Sequence, residues 1–321
     1  MPKTSSESPA HWHRITLHGP TMGTRWSVSL DADKQLDATA LQHDLAKAVE
    51  QVDAQMSPWR ADSDLLRLNA APPGDWVNLP AEMMEVLACA LEVRQQSAGT
   101  FDPFVGALVN AWGFGAVRDA PDAQAIRAAG PLTPQPGDTS LELAPPAGRA
   151  LKHRPLELDL CGIAKGYAVD RMVNVLRQYG VRHALAALDG ELRALGKQAS
   201  DRPWAVALES PDTGRRAVHS VIELDNLAVA TSGDYRRFLQ VGDVQLAHTM
   251  DARRCAPVNN QVASVTVLAP SCMLADAWAT ALLVAGPQEG LALAQRMRLD
   301  VLYLLRKPEG LVEVGLGRFG T

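Results

Sequence analysis

LELDLCGIAKGYAVDRMVNVLRQYG, residues 156–180, combines three local patterns that decide the predicted fold. Its first five residues, LELDL at 156–160, are predicted to form a buried strand, and Gly162 follows as a turn. Residues 164–180 then read as a helix, with Gly180 as its stop signal. The stretch therefore predicts a strand, a turn and a helix in direct succession, an arrangement that is well suited to binding a ligand.

The same alternation of strands and helices extends along the rest of the chain. Residues 15–30 predict two short strands, broken at Gly19-Pro20 and at Gly23. Further strands are predicted at 204–210, 217–224, 227–231, 262–269 and 301–306. Further helices are predicted at 38–57, 80–97, 121–129, 272–285 and 288–298. A concentration of proline predicts an irregular connection at about 116–155.

Length, composition and charge narrow the class of protein. A chain of 321 residues can bury a substantial core, as one large domain or two closely packed ones. With 47% hydrophobic and 21% charged residues, the composition is that of an ordinary globular protein. The net charge of −5 argues against a nucleic-acid partner, because proteins that bind nucleic acids usually display a basic excess.

The ends of the chain and its apolar stretches indicate no membrane insertion. No segment offers about 18 uninterrupted apolar residues, so no membrane span is predicted. The first residues lack the apolar core of a secretory signal, and we therefore expect a cytoplasmic protein. Residues 1–14 are polar and are expected to form a flexible tail before a domain over 15–321.

An apolar segment, LADAWATALLVAG at 274–286, carries two oxygen-bearing side chains. Asp276 and Thr280 are four residues apart, so a helix places them on one face. Magnesium prefers such hard oxygen ligands, and a substrate phosphate could complete its shell. The alternative is a structural role, in which Ser271 caps the helix, Asp276 favours the helix dipole and Thr280 bonds a carbonyl one turn back.

The turn around Gly162 is a candidate anion site. A helix that begins after a glycine turn leaves its first N–H groups open, and Lys165 adds a full positive charge. The spacing of a P-loop is absent. The alternative is an ordinary tight turn with a lysine at the surface.

Two further segments are each compatible with a binding or catalytic role and with a structural one. TFDPFVGALVNAWGFG, at 100–115, is rich in aromatic residues and glycine, and Asp102 precedes a proline that favours extended backbone. This loop could stack on a flat ring, or simply pack on the core. His248 lies in HTMD at 248–251, and a lone histidine is more often structural than catalytic.

Considered together, these segments resemble the ApbE family, flavin transferases that attach FMN covalently to other proteins. The resemblance is collinear over most of the chain. It comprises TMGTRWSV (21–28), DAQMSPWRADSDLLRLN (53–69), GTFDP (99–103), LDLCGIAKGYAVD (158–170), ATSGDYRRF (230–238), HTMD (248–251) and ADAWATALLVAG (275–286). Each motif alone is weak, but seven of them in the order of the family are highly specific.

The resemblance implies an activity and a fold. The activity is a magnesium-dependent transfer of FMN from FAD to a Ser or Thr hydroxyl of an acceptor flavoprotein, with release of AMP. The fold is α+β, a T-fold-like architecture of mixed or antiparallel sheets with packed helices and a cofactor cleft between lobes. Two alternatives remain open, an FAD pyrophosphatase that releases FMN and AMP, and a non-catalytic protein that binds or delivers flavin.

The resemblance also implies which residues form the site. Asp276, Thr280 and the backbone carbonyl of Gly162 would bind Mg²⁺. The FAD site would be lined by Met22, Trp59, Thr100, Phe101, Asp102, Asp159, Lys165 and Met250. Trp59 offers a flat face to a ring system, and Lys165 neutralises charge on the pyrophosphate. His248 is the candidate that accepts the hydroxyl proton.

Three positions depart from the usual pattern of the family. Cys161 replaces a small residue, Asp189 replaces the first glycine of a Gly-Gly pair, and residues 252–255 lack the customary D-P-x-T-G. Glycine adopts backbone conformations that aspartate adopts only reluctantly, so the change at Asp189 could alter the approach of the backbone to a ligand.

Overall fold

The computed structural model describes residues 12–117, 119–130, 139–211, 217–234, 238–241 and 244–320. Parts of three sequence predictions lie outside these residues. They are the first eleven residues of the predicted tail, residue 118 and residues 131–138 of the proline-rich connection, and residues 235–237 of ATSGDYRRF. The first strand begins at His13, two residues before the predicted boundary at residue 15.

Seven helices are described. They are α1 (Ala38–Met56), α2 (Asp64–Ala70), α3 (Ala81–Gln96), α4 (Gly106–Ala111), α5 (Ala123–Ala129), α6 (Ala164–Gln178) and α7 (Cys272–Met297). Side chains cap several of their N-termini, as Asp37 does at α1 and Ser271 at α7. Helix α7 contains a break at Gly286, which has φ 74°, followed by Pro287. The two helices predicted for this region are therefore confirmed as two segments that meet at a kink.

The strands form one large sheet and several small ones. They are β1 (His13–Thr21), β2 (Thr24–Ala32), β3 (Trp76–Asn78), β4 (Leu141–Ala144), β5 (Arg149–Lys152), β6 (Ala184–Leu188), β7 (Glu191–Leu195), β8 (Trp204–Glu209), β9 (Val218–Leu224), β10 (Ala228–Gly233), β11 (Phe238–Val241), β12 (Val244–Ala247), β13 (Met250–Asp251), β14 (Ala256–Pro257), β15 (Val262–Ala269), β16 (Asp300–Lys307) and β17 (Gly310–Leu316). The large sheet has eight strands in the order β1-β2-β6-β7-β10-β15-β16-β17, and every neighbouring pair is antiparallel. The predicted α+β class with antiparallel sheets and packed helices is confirmed.

Both faces of the large sheet are covered near its centre. Val301, Tyr303 and Leu305 of β16 belong to the main core, where α1, α6 and α7 pack. The alternating residues Leu302 and Leu304 point to a second core under the β8–β9 hairpin. Because both faces are buried, all eight residues of β15 are apolar or small and are buried. The sheet is therefore a rigid platform between two layers.

Three predictions of local structure were wrong. Gly19-Pro20 lies inside β1, paired with β2, because an edge strand tolerates a proline that cannot donate a ladder hydrogen bond. Residues 156–160 form no strand, since only Glu157 makes an isolated bridge, to Val105. The segment 100–115 is not entirely loop, because α4 forms within it.

The proline-rich connection is more regular than its composition predicts. Strands β4 and β5 pair with each other, and β3 pairs with β5 to form a three-stranded sheet. Among the described residues of this connection, the prolines at 121, 145, 146 and 155 lie outside the strands, at positions where no ladder hydrogen bond is required. Across the described part of the chain, no helix combines the length and the apolar character needed to cross a membrane.

Candidate active site

One cleft of about 1410 Å³ brings the predicted site residues together. Its lining includes all of those that the sequence singled out: Met22, Trp59, Thr100, Phe101, Asp102, Asp159, Gly162, Lys165, His248, Met250, Asp276 and Thr280. They belong to the β1–β2 turn, the loops after α1 and α3, the start of α6, the segment around β13, and α7. The fold therefore gathers segments that are far apart in the chain.

The oxygen-bearing pair on α7 faces the turn at Gly162. Asp276 is only 3% exposed, and its Oδ2 accepts a hydrogen bond from the Gly166 N–H at 3.0 Å. Thr280 Oγ1 lies 3.2 Å from Ser232 Oγ. A Cβ atom added to Gly162 would lie 3.0 Å from Thr280 Oγ1, so the glycine permits this close approach.

The structural alternative for Asp276 does not explain its position. Helix α7 is capped by Ser271, whose Oγ accepts a hydrogen bond from the Leu274 N–H at 3.3 Å. No acidic residue lies in the first turn, and Asp276 follows one residue beyond it. The carboxylate is therefore directed at the cleft and at α6.

The start of α6 is less open to an anion than the sequence predicts. The Ala164 N–H donates to Leu160 O at 2.9 Å, and the Gly166 N–H is committed to Asp276. These two amides already have partners inside the protein. The positive charge of Lys165, rather than a cradle of open amides, therefore remains as the feature that favours an anion here.

Lys165 is paired with a carboxylate that the sequence predictions did not select. Its Nζ lies 2.5 Å from Glu191 Oε1, and the exposed fractions of the two side chains are 30% and 2%. Burial raises the pKa of the Glu191 carboxyl to about 7, although Lys165 acts in the opposite direction. Burial alone would lower the pKa of Lys165, but Glu191 and then Asp276 outweigh it and raise that pKa. The ammonium therefore stays charged.

Negative charge predominates among the described residues that line the cleft. Eight of them are Asp or Glu, whereas Lys165 is the single Lys or Arg. The acidic residues are Asp53, Asp102, Glu157, Asp159, Asp189, Glu191, Glu209 and Asp276. Burial raises the pKa of the Asp276 carboxyl, because a negative charge is poorly solvated in the protein interior. Such a cleft favours a polyanionic ligand that binds together with a cation.

The donor set suits a hard divalent cation. A carboxylate from Asp276, a hydroxyl from Thr280 and the carbonyl of Gly162 are all oxygen ligands, and they come from elements in contact. Among the described residues, no cluster of three His, Cys, Asp or Glu has the arrangement of a metal site. A site built from one carboxylate, one hydroxyl and one carbonyl would not form such a cluster, so this result does not contradict it.

Two predicted cleft residues have side chains that hold loops together. Asp102 accepts from Arg94 Nε at 2.9 Å and from the Phe104 N–H at 2.9 Å, and it is 7% exposed. Asp159 accepts from the Cys161 N–H at 2.7 Å. The backbones of these loops, rather than the two carboxylates, are therefore the groups best placed to meet a ligand.

The side chain of Asn69, at the end of α2, holds the backbone of Leu158 in place. Its Nδ2 donates to Leu158 O at 2.9 Å, and the Leu158 N–H donates to its Oδ1 at 2.8 Å. The amide thus satisfies both backbone groups of a residue that is not part of a strand. Asn69 lines the cleft, and it ends the DAQMSPWRADSDLLRLN motif, which is the sequence signal that could have identified it.

Two residues at the rim of the cleft have unusual conformations or exposure. Met22 has φ 45° and Gly23 φ 68° in the β1–β2 turn, as a two-residue hairpin turn requires. A non-glycine residue held in this left-handed region often marks a functional site. Trp59 is 53% exposed, which is high for a large aromatic side chain. Its ring is therefore available to a ligand.

Comparison with known proteins shows the family of this chain. The sequence profile of the ApbE family matches residues 22–303, which is most of the chain. The chain belongs to the ApbE family. The resemblance of the seven motifs to the ApbE family is therefore confirmed.

Relatives and solved structures in the ApbE family align along nearly the whole chain. A protein named FAD:protein FMN transferase from Vibrio cholerae is 34% identical over 318 residues, 98% of this chain and 93% of that protein. The protein of that name from Haemophilus influenzae is 36% identical, covering 93% of this chain and 88% of its own. The flavin transferase ApbE structure from Vibrio cholerae has a TM-score of 0.85, 33% identity and coverage of 96% and 98%. The apo flavinyl transferase ApbE from Pseudomonas stutzeri has a TM-score of 0.84, 35% identity and coverage of 95% of each chain.

Two departures from the ApbE pattern lie at left-handed backbone positions. Asp189 has φ 55° where the family pattern has the first glycine of a pair, and Cys255 has φ 52° at the position of the glycine in D-P-x-T-G. Other contacts hold the second segment. Arg253 pairs with Asp251 and with Glu289, while the Trp112 indole N–H donates to Cys255 O at 3.0 Å.

Proposed function

We propose that this chain transfers FMN from FAD to a Ser or Thr hydroxyl of an acceptor flavoprotein, with Mg²⁺ as the metal and AMP as the leaving group. One observation carries the proposal. The oxygen atoms of α7 face the Gly162 turn beside Lys165, inside a cleft whose described lining has eight carboxylates. The names of the relatives in two bacteria, FAD:protein FMN transferase, support the same reaction.

FAD would occupy the cleft as the substrate. The exposed ring of Trp59 would stack on the isoalloxazine, while Met22 and Met250 contribute apolar contacts. The Thr100–Asp102 segment and the loop at Asp159 would offer backbone groups. Lys165 would lie against the pyrophosphate, since its ammonium is the positive charge of the described lining.

Asp276, Thr280 and the carbonyl of Gly162 would hold the Mg²⁺ ion. When bound, the metal supplies positive charge that polarises the phosphoryl group under attack. The hydrogen bond from Gly166 to Asp276 Oδ2 fixes the carboxylate, so that its other oxygen can face the cleft. Gly162 packs against Thr280, since a Cβ at residue 162 would lie 3.0 Å from Thr280 Oγ1, and this proximity supports the two residues as ligands of one ion.

The transfer is a displacement at the phosphorus of the FMN half. The acceptor hydroxyl oxygen forms a bond to this phosphorus, and the bond from phosphorus to the bridging oxygen breaks, so AMP leaves with that oxygen. His248 would accept the hydroxyl proton, because an imidazole titrates near neutral pH and this residue lines the cleft. The Lys165 ammonium would stabilise the negative charge that develops on AMP.

The proposal is tested by following both products. The protein is incubated with FAD and Mg²⁺, with and without a flavoprotein that carries a Ser or Thr acceptor site. We expect fluorescent labelling of the acceptor in a denaturing gel and an equal amount of AMP, both lost in Asp276→Ala and kept in Asp201→Asn, an exposed control. Release of FMN and AMP without acceptor would instead identify a pyrophosphatase. Tight FAD binding with neither product would identify a binding protein.

A further inference from the structure

Glu191 differs from the other buried carboxylates that form ion pairs. Asp102 uses one oxygen for Arg94 and the other for the Phe104 N–H. Asp170 likewise uses both of its oxygens, because Oδ1 accepts from the Cys272 N–H and from Arg193, and Oδ2 accepts from the Met273 N–H. Glu191 Oε1 contacts Lys165 at 2.5 Å, but its buried Oε2 has no hydrogen-bond partner among the described residues. An ion pair that served stability alone would be expected to satisfy both oxygens, because a buried unpaired oxygen is costly.

Lys165 lies within the electrostatic reach of two buried carboxylates. One is Glu191, which the ammonium contacts directly. The other is Asp276, which attracts the same ammonium and receives the amide of the next residue, Gly166. At low effective dielectric the attraction between such charges is strong. An ammonium that moved from Glu191 to Asp276 would occupy the carboxylate that the proposed metal site requires.

We propose that Glu191 is a positioning residue that holds the Lys165 ammonium away from Asp276 and so keeps that carboxylate available to a divalent cation. This inference rests on the proposed metal site. Glu191 is suited to the task because it begins β7, in the central sheet, and is 2% exposed. A buried side chain on a rigid strand holds its partner in one place better than a mobile one at the surface.

The inference predicts the direction in which metal affinity changes. In Glu191→Gln the neutral amide attracts the ammonium less, so Lys165 turns to Asp276 and competes with the cation. We expect Mn²⁺ to bind this variant about 10- to 100-fold more weakly than it binds the wild-type protein, the range usual for the loss of a group that orients a metal ligand. In the double variant Glu191→Gln with Lys165→Met, no ammonium remains to compete, and the affinity should recover.

Mn²⁺ alone is the probe, added to the full chain at mildly alkaline pH without FAD. The free ion is quantified by electron paramagnetic resonance, which is independent of turnover. Asp201→Asn is the control, since Asp201 pairs with Lys197 at the surface. The fold of each variant is compared by circular dichroism, so that a misfolded variant is recognised.

The possible outcomes separate this inference from the proposed metal site. Weak binding by Glu191→Gln together with recovery in the double variant supports the inference. Weak binding by both variants would overturn it, because Glu191 would then support the site without acting through Lys165. Wild-type affinity in Glu191→Gln would also overturn it, while leaving the proposed metal site intact. Absence of Mn²⁺ binding to the wild-type protein would overturn the proposed metal site and this inference together.

Discussion

The backbone N–H of Gly166 donates to Asp276 Oδ2 across 3.0 Å, so α6 begins directly against the carboxylate that α7 supplies. Two further features maintain this contact. A side chain at position 166 would meet the backbone of α7, and Asp170, one turn further along α6, receives the first amides of α7. The position of Asp276 in the cleft therefore depends on how closely the two helices approach.

Gly166→Ala should destabilise the protein. The added Cβ would overlap the Cys272 carbonyl oxygen and lie 2.8 Å from Asp276 Cβ. Alanine gains about 1 kcal/mol of helix propensity, but crowding in a packed core costs about 1–3 kcal/mol. Because the obstacle is backbone, which cannot move aside alone, we expect a net loss of stability in urea unfolding and reduced acceptor labelling.

Gly190→Ala is the steric control for this variant. A Cβ at position 190 would lie 3.8 Å from Thr231 O, an ordinary van der Waals contact. Its stability should change by less than about 0.5 kcal/mol. Equal losses of unfolding free energy in Gly166→Ala and Gly190→Ala would show that α6 and α7 do not approach each other as closely as described.

Asp170→Ala should cost more than the loss of an ordinary helix cap. The Asp170 carboxylate accepts from the Cys272 and Met273 amides at 2.9 Å each, and it pairs with Arg193 at 2.5 Å. Removing one partner of a buried ion pair costs about 3–5 kcal/mol. The comparison is Asp37→Ala, which removes the exposed cap of α1 and should cost about 1 kcal/mol. Similar losses in urea unfolding would rule out this role of Asp170.

Cys255→Gly should stabilise the protein slightly. Residue 255 has φ 52°, where a side chain is strained by about 1–2 kcal/mol. Glycine removes this strain but increases the freedom of the unfolded chain, so the net gain should be about 0.5–1 kcal/mol. Asp189→Gly should gain less, because aspartate tolerates the left-handed region better than cysteine. A higher melting temperature for Asp189→Gly than for Cys255→Gly would contradict this order.

The pH dependence of stability should depend on Glu191. Burial raises the pKa of this carboxyl from 4.5 to about 7, so the folded state favours its protonated form. This contribution to stability is present below pH 4.5 and is lost as the pH rises through 7. In the absence of divalent metal, the wild-type protein should therefore lose stability relative to Glu191→Gln over this interval. A gain over the same interval would show that attraction to Lys165 outweighs burial.

The sequence predicted most of the regular helices because their signals are local. The apolar spacing placed the bounds of α1 and α3, and the two helices predicted at 272–285 and 288–298 match the two segments of α7, all to within about two residues. Predictions failed where tertiary contacts override a local pattern. Residues 156–160 have the composition of a buried strand, but Asn69 takes both backbone groups of Leu158. No local rule identifies that distant amide.

The candidate site shows the same division. The spacing of Asp276 and Thr280 marked them in advance, because a polar pair on an apolar helix is conspicuous. Glu191 was not selected, since an acidic residue near a turn is usually solvated. Its burial against Lys165 becomes apparent only when β7 is paired with β6 and β10. The spacing of residues along the chain therefore could not predict that Glu191 is buried beside Lys165.

The central claim is that this chain links FMN covalently to another protein, and the mass of an intact acceptor tests it most directly. A flavoprotein with a Ser or Thr acceptor site is co-expressed with the wild-type chain or with Asp276→Ala, denatured and weighed by mass spectrometry. We expect a gain of one FMN less one water, on the acceptor hydroxyl, with the wild-type chain only. An unmodified acceptor beside the wild-type chain, or a fully modified one beside Asp276→Ala, would contradict the account.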